Sequence, residues 1–204
     1  MDRLRVKSPI GELVGYVRDG ALCAMDFGER QWNGRVVLER RFGALEVREG
    51  AGAREVRRAL EAYLEGELEA LDAIAVDPGG TEFQARVWAA LRRIPPGRTA
   101  SYTELARAVG ASSAVRAVGS ANGQNPVPVV IPCHRVVRSD GTLGGYGGGL
   151  DRKRWLLDHE KARLDSEGKP AHRQRLLLGS AGGLNVGGRG AGGRGAGGRE
   201  TGGR

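Results

Sequence analysis

Cys133 and His134 are neighbours at the end of the run Asn125-Pro126-Val127-Pro128-Val129-Val130-Ile131-Pro132. A thiol attacks only as its thiolate, and an imidazole beside it can take the proton directly or through one water. A free cysteine is also a small apolar residue that is commonly buried and inert. The dipeptide alone does not separate catalysis from packing, so the answer lies in how the chain holds the sulfur.

Three prolines, at 126, 128 and 132, fix φ and push the residues before them toward extended backbone. The spacing predicts a rigid, buried, strand-like segment that delivers Cys133 to a defined place. Upstream, Thr81-Glu82-Phe83-Gln84 and Ser101-Tyr102-Thr103-Glu104 have the form of capping boxes. The first opens a helix with Phe83, Val87, Ala90 and Leu91 on one face, closed by Ile94-Pro95-Pro96-Gly97. The second opens a helix that buries Leu105, Ala108 and Val109 and stops at Gly110, and a turn through Ala111-Ser112 leads to a third, Ser113 to Asn122.

The last two fit a helix-turn-helix, and also an ordinary helical hairpin, which is the commoner arrangement. Ala114, Ala117, Gly119, Ser120 and Ala121 are all small, and Arg116 is the only charge in that third helix. Such a helix can approach a DNA groove, or another helix, closely. Downstream, Gly144-Gly145-Tyr146-Gly147-Gly148-Gly149 is either a loop that admits a flat ligand or a plain connector. A helix from Asp151 to Leu164 follows, with Trp155, Leu156, His159 and Leu164 as part of its apolar face and Glu160 beside His159.

The front of the chain reads differently. Leu4 to Lys7, Leu13 to Val17 and Leu22 to Phe27 are strands, with Asp19-Gly20 as a hairpin turn. A polar, irregular stretch precedes a helix from Arg54 to Gly66 that buries Val56, Leu60, Tyr63 and Leu64, and Ala73 to Val76 is strand-like. This gives a small α/β domain at 1–76, a linker at 77–80, a mainly helical domain at 81–167 and a Gly/Arg tail at 168–204. The tail cannot form a core and suits weak electrostatic contact with nucleic acid, or no role at all.

Charge follows the same division: net −3 over residues 1–80, +5 over 81–167 and +6 over 168–204, within an overall +8. A polyanionic partner would therefore meet the second half. Two distant cysteines and three scattered histidines argue against a structural zinc site and a disulfide framework. With no apolar run of membrane-spanning length and no signal-peptide core, a cytoplasmic protein without a membrane partner is expected.

Arg116-Ala117-Val118-Gly119, Asn125-Pro126-Val127-Pro128, Ile131-Pro132-Cys133-His134-Arg135-Val136-Val137, Gly144-Gly145-Tyr146 and Leu156-Leu157-Asp158-His159-Glu160 occur in this order. Together they resemble the O6-alkylguanine-DNA alkyltransferase family from Thr81 to about Leu164. The resemblance implies an RNase H-like α/β front domain and a mainly α second domain with a winged-helix-like helix-turn-helix. It makes Cys133 the alkyl acceptor, His134 its base, Glu160 the carboxylate that orients the imidazole, Tyr102 a base contact and proton donor, and Asn125 a hinge brace.

By the same resemblance Val136, Tyr146 and Gly147 bind the guanine. Arg116, Ala117, Ser120, Ala121, Asn122 and Arg135 contact DNA, with Arg116 filling the gap left by a flipped nucleotide. Gly147 stands where some members carry a hydroxyl residue, so backbone groups would serve the base oxygen. Double-stranded DNA carrying O6-alkylguanine, with O4-alkylthymine a further option, is the implied partner of a monomer with no cofactor. Cooperative binding along DNA is left open. Two alternatives stand beside this: a non-catalytic lesion binder of the same fold, against which Cys133 speaks, and a helix-turn-helix regulator with an incidental Cys-His.

Overall fold

The computed structural model describes residues 1–28 and 34–161; Leu164 and the Gly/Arg tail lie outside them. Three strands open the chain, β1 (Asp2–Val6), β2 (Leu13–Arg18) and β3 (Ala21–Phe27), paired antiparallel in sequence. Asp19 and Gly20 between β2 and β3 both have positive φ, 50° and 79°, the geometry that a two-residue hairpin demands. Leu4, Val6, Leu13 and Val17 are buried in the main core at alternate positions, as a strand with one covered face requires.

The polar stretch after β3 contains a helix that its composition conceals. Helix α1 (Gly34–Phe42) covers the other face of β3, where Leu38 packs with Cys23 and Ala24. Among its described side chains, Leu38 and Phe42 pack on this cluster with three charged residues between them, and two anchors are too few to give a helical period. A short strand β4 (Arg48–Glu49) then adds to β1 in parallel, completing a mixed sheet in the order β3-β2-β1-β4. Helix α2 (Arg54–Glu65) buries Val56, Leu60 and Tyr63 and ends at Gly66 with φ 110°, a left-handed stop.

The expected strand at 73–76 is not one. Ala70–Ala73 form a 3-10 turn, and only Val76 bridges to Leu22. The backbone around it nevertheless caps the β3 edge: Leu22 N donates to Ala75 O and Asp77 N to Leu22 O, while Met25 N reaches Pro126 O at 2.8 Å. An open edge is thereby closed, by residues 75–77 at one end and by Pro126 of the second half at the other.

Both capping boxes form as read. Thr81 and Gln84 start α3 (Glu82–Arg92), and Ser101 and Glu104 start α4 (Tyr102–Ala108) after a short strand β5 (Ala100–Ser101). In α4 it is Leu105 and Ala106 that are buried, with Ala108 and Val109 half-buried. The connection to α5 (Val115–Gly123) runs from residue 109 to 114, longer than a tight helix-turn-helix turn. Trp88 of α3 donates its indole N–H to Ala121 O at 2.9 Å, fastening α3 to α5.

The proline-rich stretch is rigid and buried but not extended. Val127, Val129, Val130 and Ile131 are buried, yet Val129 sits at φ 72° and Ile131 N donates back to Val127 O, so the segment is a chain of turns. Cys133–Arg135 form a 3-10 turn leading into β6 (Val136–Val137), and α6 (Leu150–His159) closes the described chain. The prolines fix φ without dictating ψ, which leaves turns open to them. One buried cluster runs continuously from Leu4 to Leu156 across both halves. No helix among the described residues is long and apolar enough to cross a membrane.

Candidate functional site

A single rung of parallel pairing sets the site. β5 and β6 pair Ala100 with Val136 and Ser101 with Val137. Tyr102 follows β5 immediately and Cys133 precedes β6 by one 3-10 turn, so this rung brings a phenol and a thiol to one cleft of about 640 Å³. Asn122, Asn125, Tyr146 and Gly147 also line it, as do Met25, Asp26 and Phe27 of β3. Asn125 is braced twice: its side-chain amide donates to Ile131 O at 2.8 Å, and its oxygen accepts from Val127 N at 3.0 Å. Those bonds fix the turn that carries Cys133.

Behind the cleft lies a fully buried charged cluster. His134 Nε2 is 3.0 Å from Glu160 Oε1. The same oxygen accepts from the Tyr63 hydroxyl at 2.8 Å and Arg135 Nη2 at 2.8 Å, while Arg135 Nε donates to Oε2 at 2.9 Å. Arg135 also reaches Ile94 O. Against the upward push of burial, the charges and hydrogen bonds of His134 and Arg135 hold Glu160 well below the usual carboxylate range. His134 Nδ1 has no protein partner among the described residues, and it is the ring nitrogen left to receive a proton.

Burial pushes the Cys133 thiol up, opposed by a hydrogen bond from Asn125, the Lys153 charge and backbone N–H groups. Burial also lowers His134, by more than Glu160 raises it. At rest the pair is therefore a neutral thiol beside a neutral imidazole, and the thiolate is made by proton transfer when it is used. Burial and the neighbouring sulfur raise Tyr102, which keeps its hydroxyl protonated and able to donate. Lys153 has no exposed surface; its ammonium donates to Val136 O at 2.6 Å and to Leu143 O. Burial brings it down to about 8, against an attraction to Cys133. It is the positive charge that a thiolate at Cys133 would face.

The glycine loop is fitted to the β3 side of the cleft. A Cβ on Gly148 would lie 2.6 Å from Phe27 and from Tyr146, whose rings meet edge to face with centroids 6.4 Å apart. Gly148→Ala is expected to destabilise the protein by about 1–3 kcal/mol, an overpacking cost. A thermal melt checks this, and an unchanged midpoint would mean that the loop yields freely.

The structure brings Cys133, Tyr102, Asn125, Asn122, Tyr146 and Gly147 to one cleft, with His134 and Glu160 behind it. Arg116, Ala117 and Ser120 share the exposed face of α5, whereas Ala121 and Asn122 point inward and are buried. Arg135 departs from its expected place on the DNA side: it is 4% exposed and spends its guanidinium on Glu160 and Ile94 O. A surface phosphate contact needs that charge in solvent. Val136 is buried, with its carbonyl held by Lys153.

Sequence reasoning missed Lys153, the Tyr63 hydroxyl and the β3 wall. One signal pointed to the first. Lys153, Leu156, Leu157 and Glu160 stand at i, i+3, i+4 and i+7, the inward stripe of α6, and all four are buried. The stripe built on Trp155 and His159 is offset from it, and those two residues are half-buried, stacked on each other at 4.7 Å.

A family model described as 6-O-methylguanine DNA methyltransferase, DNA binding domain, matches residues 82–162. That span holds Tyr102, Asn125, Cys133, His134, Lys153 and Glu160. A methylated-DNA--protein-cysteine methyltransferase of Mycobacterium tuberculosis is 53% identical over 108 residues, 53% of this chain and 65% of that relative, just under two thirds of its length. The Mycolicibacterium paratuberculosis protein of the same name is 48% identical over 157 residues, 76% of this chain and 90% of that one. The solved structure of Mycobacterium tuberculosis OGT in complex with DNA is similar at a TM-score of 0.68 and 38% identity, covering 82% of this chain and 97% of that one. With near-half identity over nine-tenths of a relative, and a family match that contains Cys133, His134 and Glu160, the chain belongs to the methylated-DNA--protein-cysteine methyltransferase family.

Proposed function

We propose that the protein repairs DNA by moving the alkyl group of an O6-alkylguanine onto Cys133, once per molecule and without a cofactor. The observation that carries this reading is the shared cleft of Cys133 and Tyr102 with the His134–Glu160 pair behind it. Cys133 Sγ gives its proton to the His134 relay and attacks the alkyl carbon. The carbon–O6 bond breaks with its electrons going to the purine, and the Tyr102 hydroxyl donates a proton to the departing base. The proton taken by His134 then restores the phenol. What remains is neutral guanine and a thioether, which has no hydrolytic exit.

An O6-alkyl group lies inside the duplex, so the nucleotide must turn out into the cleft at a cost of a few kcal/mol, less for a weakly paired lesion. The exposed face of α5 with Arg116, Ala117 and Ser120 supports docking of α4 and α5 on DNA in a winged-helix-like manner, with Arg116 occupying the vacated stack. Within the cleft, Val136, Tyr146 and the backbone at Gly147 would hold the guanine; a Cβ on Gly147 would meet nothing within 4 Å. An RNase H-like front unit over 1–76, a linker at 77–80, a transfer unit over 81–167, a monomeric state and a cytoplasmic location complete the reading. The mixed sheet with its three-stranded antiparallel run supports the first of these.

The direct test incubates the protein with duplex DNA carrying labelled O6-methylguanine and asks for stoichiometric label on protein. Label that stays on DNA, or turnover beyond one per molecule, would overturn the reading. Arg116→Ala is expected to slow transfer from the duplex much more than from free O6-benzylguanine, because the free base leaves no gap to fill. Single-turnover rates on both substrates check this. Equal losses would place Arg116 in shaping the pocket instead.

A further inference from the structure

Among the described residues of the front half, Tyr63 is the one that hydrogen-bonds into the buried charge cluster. It comes from α2, has no exposed surface, and is gripped at two points by the C-terminal end of α6: its hydroxyl donates to Glu160 Oε1 at 2.8 Å, and its carbonyl lies 2.7 Å from His159 Nε2. Glu160 cannot retreat from it. A Cβ on Gly97, at φ 72°, would lie 2.7 Å from Glu160 O, so the Pro95–Gly97 turn packs directly against the Glu160 backbone. The hydroxyl therefore meets an oxygen whose place is already determined.

We propose, building on the alkyl-transfer reading above, that Tyr63 is a positioning residue for that reaction: by sharing Glu160 Oε1 with His134, it limits how firmly the carboxylate holds a proton on the imidazole. A donor to a carboxylate stabilises its negative charge and weakens its pull on every other donor. Without the hydroxyl, Oε1 would accept from His134 and Arg135 alone, and its hold on an imidazolium would tighten. An imidazole that acquires a proton from solvent while the thiol is still neutral cannot act as a base. Tyr63 thus protects the proton-accepting form of His134.

The groups around this pair are accounted for. Arg135 on the 3-10 turn bonds both carboxylate oxygens, and Lys153 on α6 adds a positive charge; each disfavours the imidazolium. Tyr146 of the glycine loop meets the His134 ring edge to face at 6.5 Å, and Cys133 precedes it in the chain. Among these neighbours only Glu160 favours the imidazolium, and Tyr63 acts on Glu160.

The test compares wild type with Tyr63→Phe, which keeps the ring and its packing and removes one oxygen. The readout is the pH profile of Cys133 reactivity, measured by alkyl transfer from O6-benzylguanine and separately by iodoacetamide labelling, with the labelled cysteine identified by mass spectrometry. In a coupled pair the acid limb belongs to protonation of the imidazole beside a neutral thiol. That limb should move up by about half to one pH unit in Tyr63→Phe, so the ratio of the variant's rate to that of wild type should fall by about three- to tenfold on going from above the limb to below it. Leu60→Ala, a cavity in the same helix that leaves the hydroxyl in place, should lower the melting temperature without moving the limb.

An unmoved limb in Tyr63→Phe, or an equal shift in Leu60→Ala, overturns the proposal. If wild type transfers no benzyl group but its iodoacetamide limb still depends on Tyr63, the alkyl-transfer reading fails while the link between Tyr63 and His134 stands. Should Tyr63→Phe not fold, the wild-type protein labelled with 13Cζ-tyrosine serves: the Tyr63 signal must shift as His134 titrates, and a flat response overturns the proposal.

Discussion

Replacing Cys133 with serine is expected to abolish alkyl transfer while duplex binding persists. The surroundings argue for so complete a loss. Burial already pushes the thiol up, and the groups that oppose burial are one amide, one ammonium and backbone N–H donors. A hydroxyl starts several units higher than a thiol, and the neutral His134 behind it is too weak a base to remove that proton. Nothing in the exposed α5 face depends on the sulfur, so recognition of DNA has no reason to change. After reaction of wild type with O6-methylguanine DNA, intact-mass and peptide measurements should find one methyl group, on Cys133. An adduct on Cys23, buried against α1, would sink the assignment.

The elements that were legible in the sequence are those whose ends or periods are written in side chains. Both capping boxes name their own partners, and the β2–β3 turn needs two positive-φ residues that Asp19-Gly20 supplies. The elements that were not legible depend on distant chain. β5 and β6 are two residues each and exist only because they pair with one another. Among the described side chains of α1, Leu38 and Phe42 pack on the Cys23–Ala24 cluster, two anchors that are too few for a period. Prolines promised an extended Cys133 segment, but an extended strand points alternate side chains to opposite faces, whereas Val127, Val129, Val130 and Ile131 are all buried; turns achieve this, and Val129 takes a positive φ to make one. The site divides in the same way. Cys133, His134 and Asn125 are close enough in sequence to be read together, whereas Tyr63 and Arg135 meet Glu160 only in the folded chain. Lys153 was hidden between Arg152 and Arg154, where a run of charge looks like a solvated face, and only its helical offset from Leu156 and Leu157 reveals it.

Glu160→Gln is expected to cost about 3–5 kcal/mol of stability at neutral pH and to slow transfer by about 10²- to 10⁴-fold. The carboxylate accepts from four donors and has no exposed surface, so a side-chain amide of the same shape offers one oxygen and a competing NH2 group to a set made only of donors. Arg135, 4% exposed, is then left as a buried charge without its counter-ion, which is where most of the stability is lost. His134 loses the partner that steadies it when it takes the Cys133 proton, and the rate falls with it. A pH series separates this from a simple packing defect. Glu160 is held below its unfolded range, so between the two values the native state binds fewer protons than the unfolded one; its contribution is complete above the unfolded range and is lost progressively as the pH falls from there through the lower folded value. Wild type should accordingly lose stability on acidification from roughly pH 5 downward, and Glu160→Gln should show a shallower slope from a lower starting point. Denaturant titrations at neutral and acidic pH measure both quantities. A variant as stable as wild type at neutral pH, or one with the same acid slope, would mean that the cluster carries no charge worth keeping, and the relay assigned to His134 would lose its support.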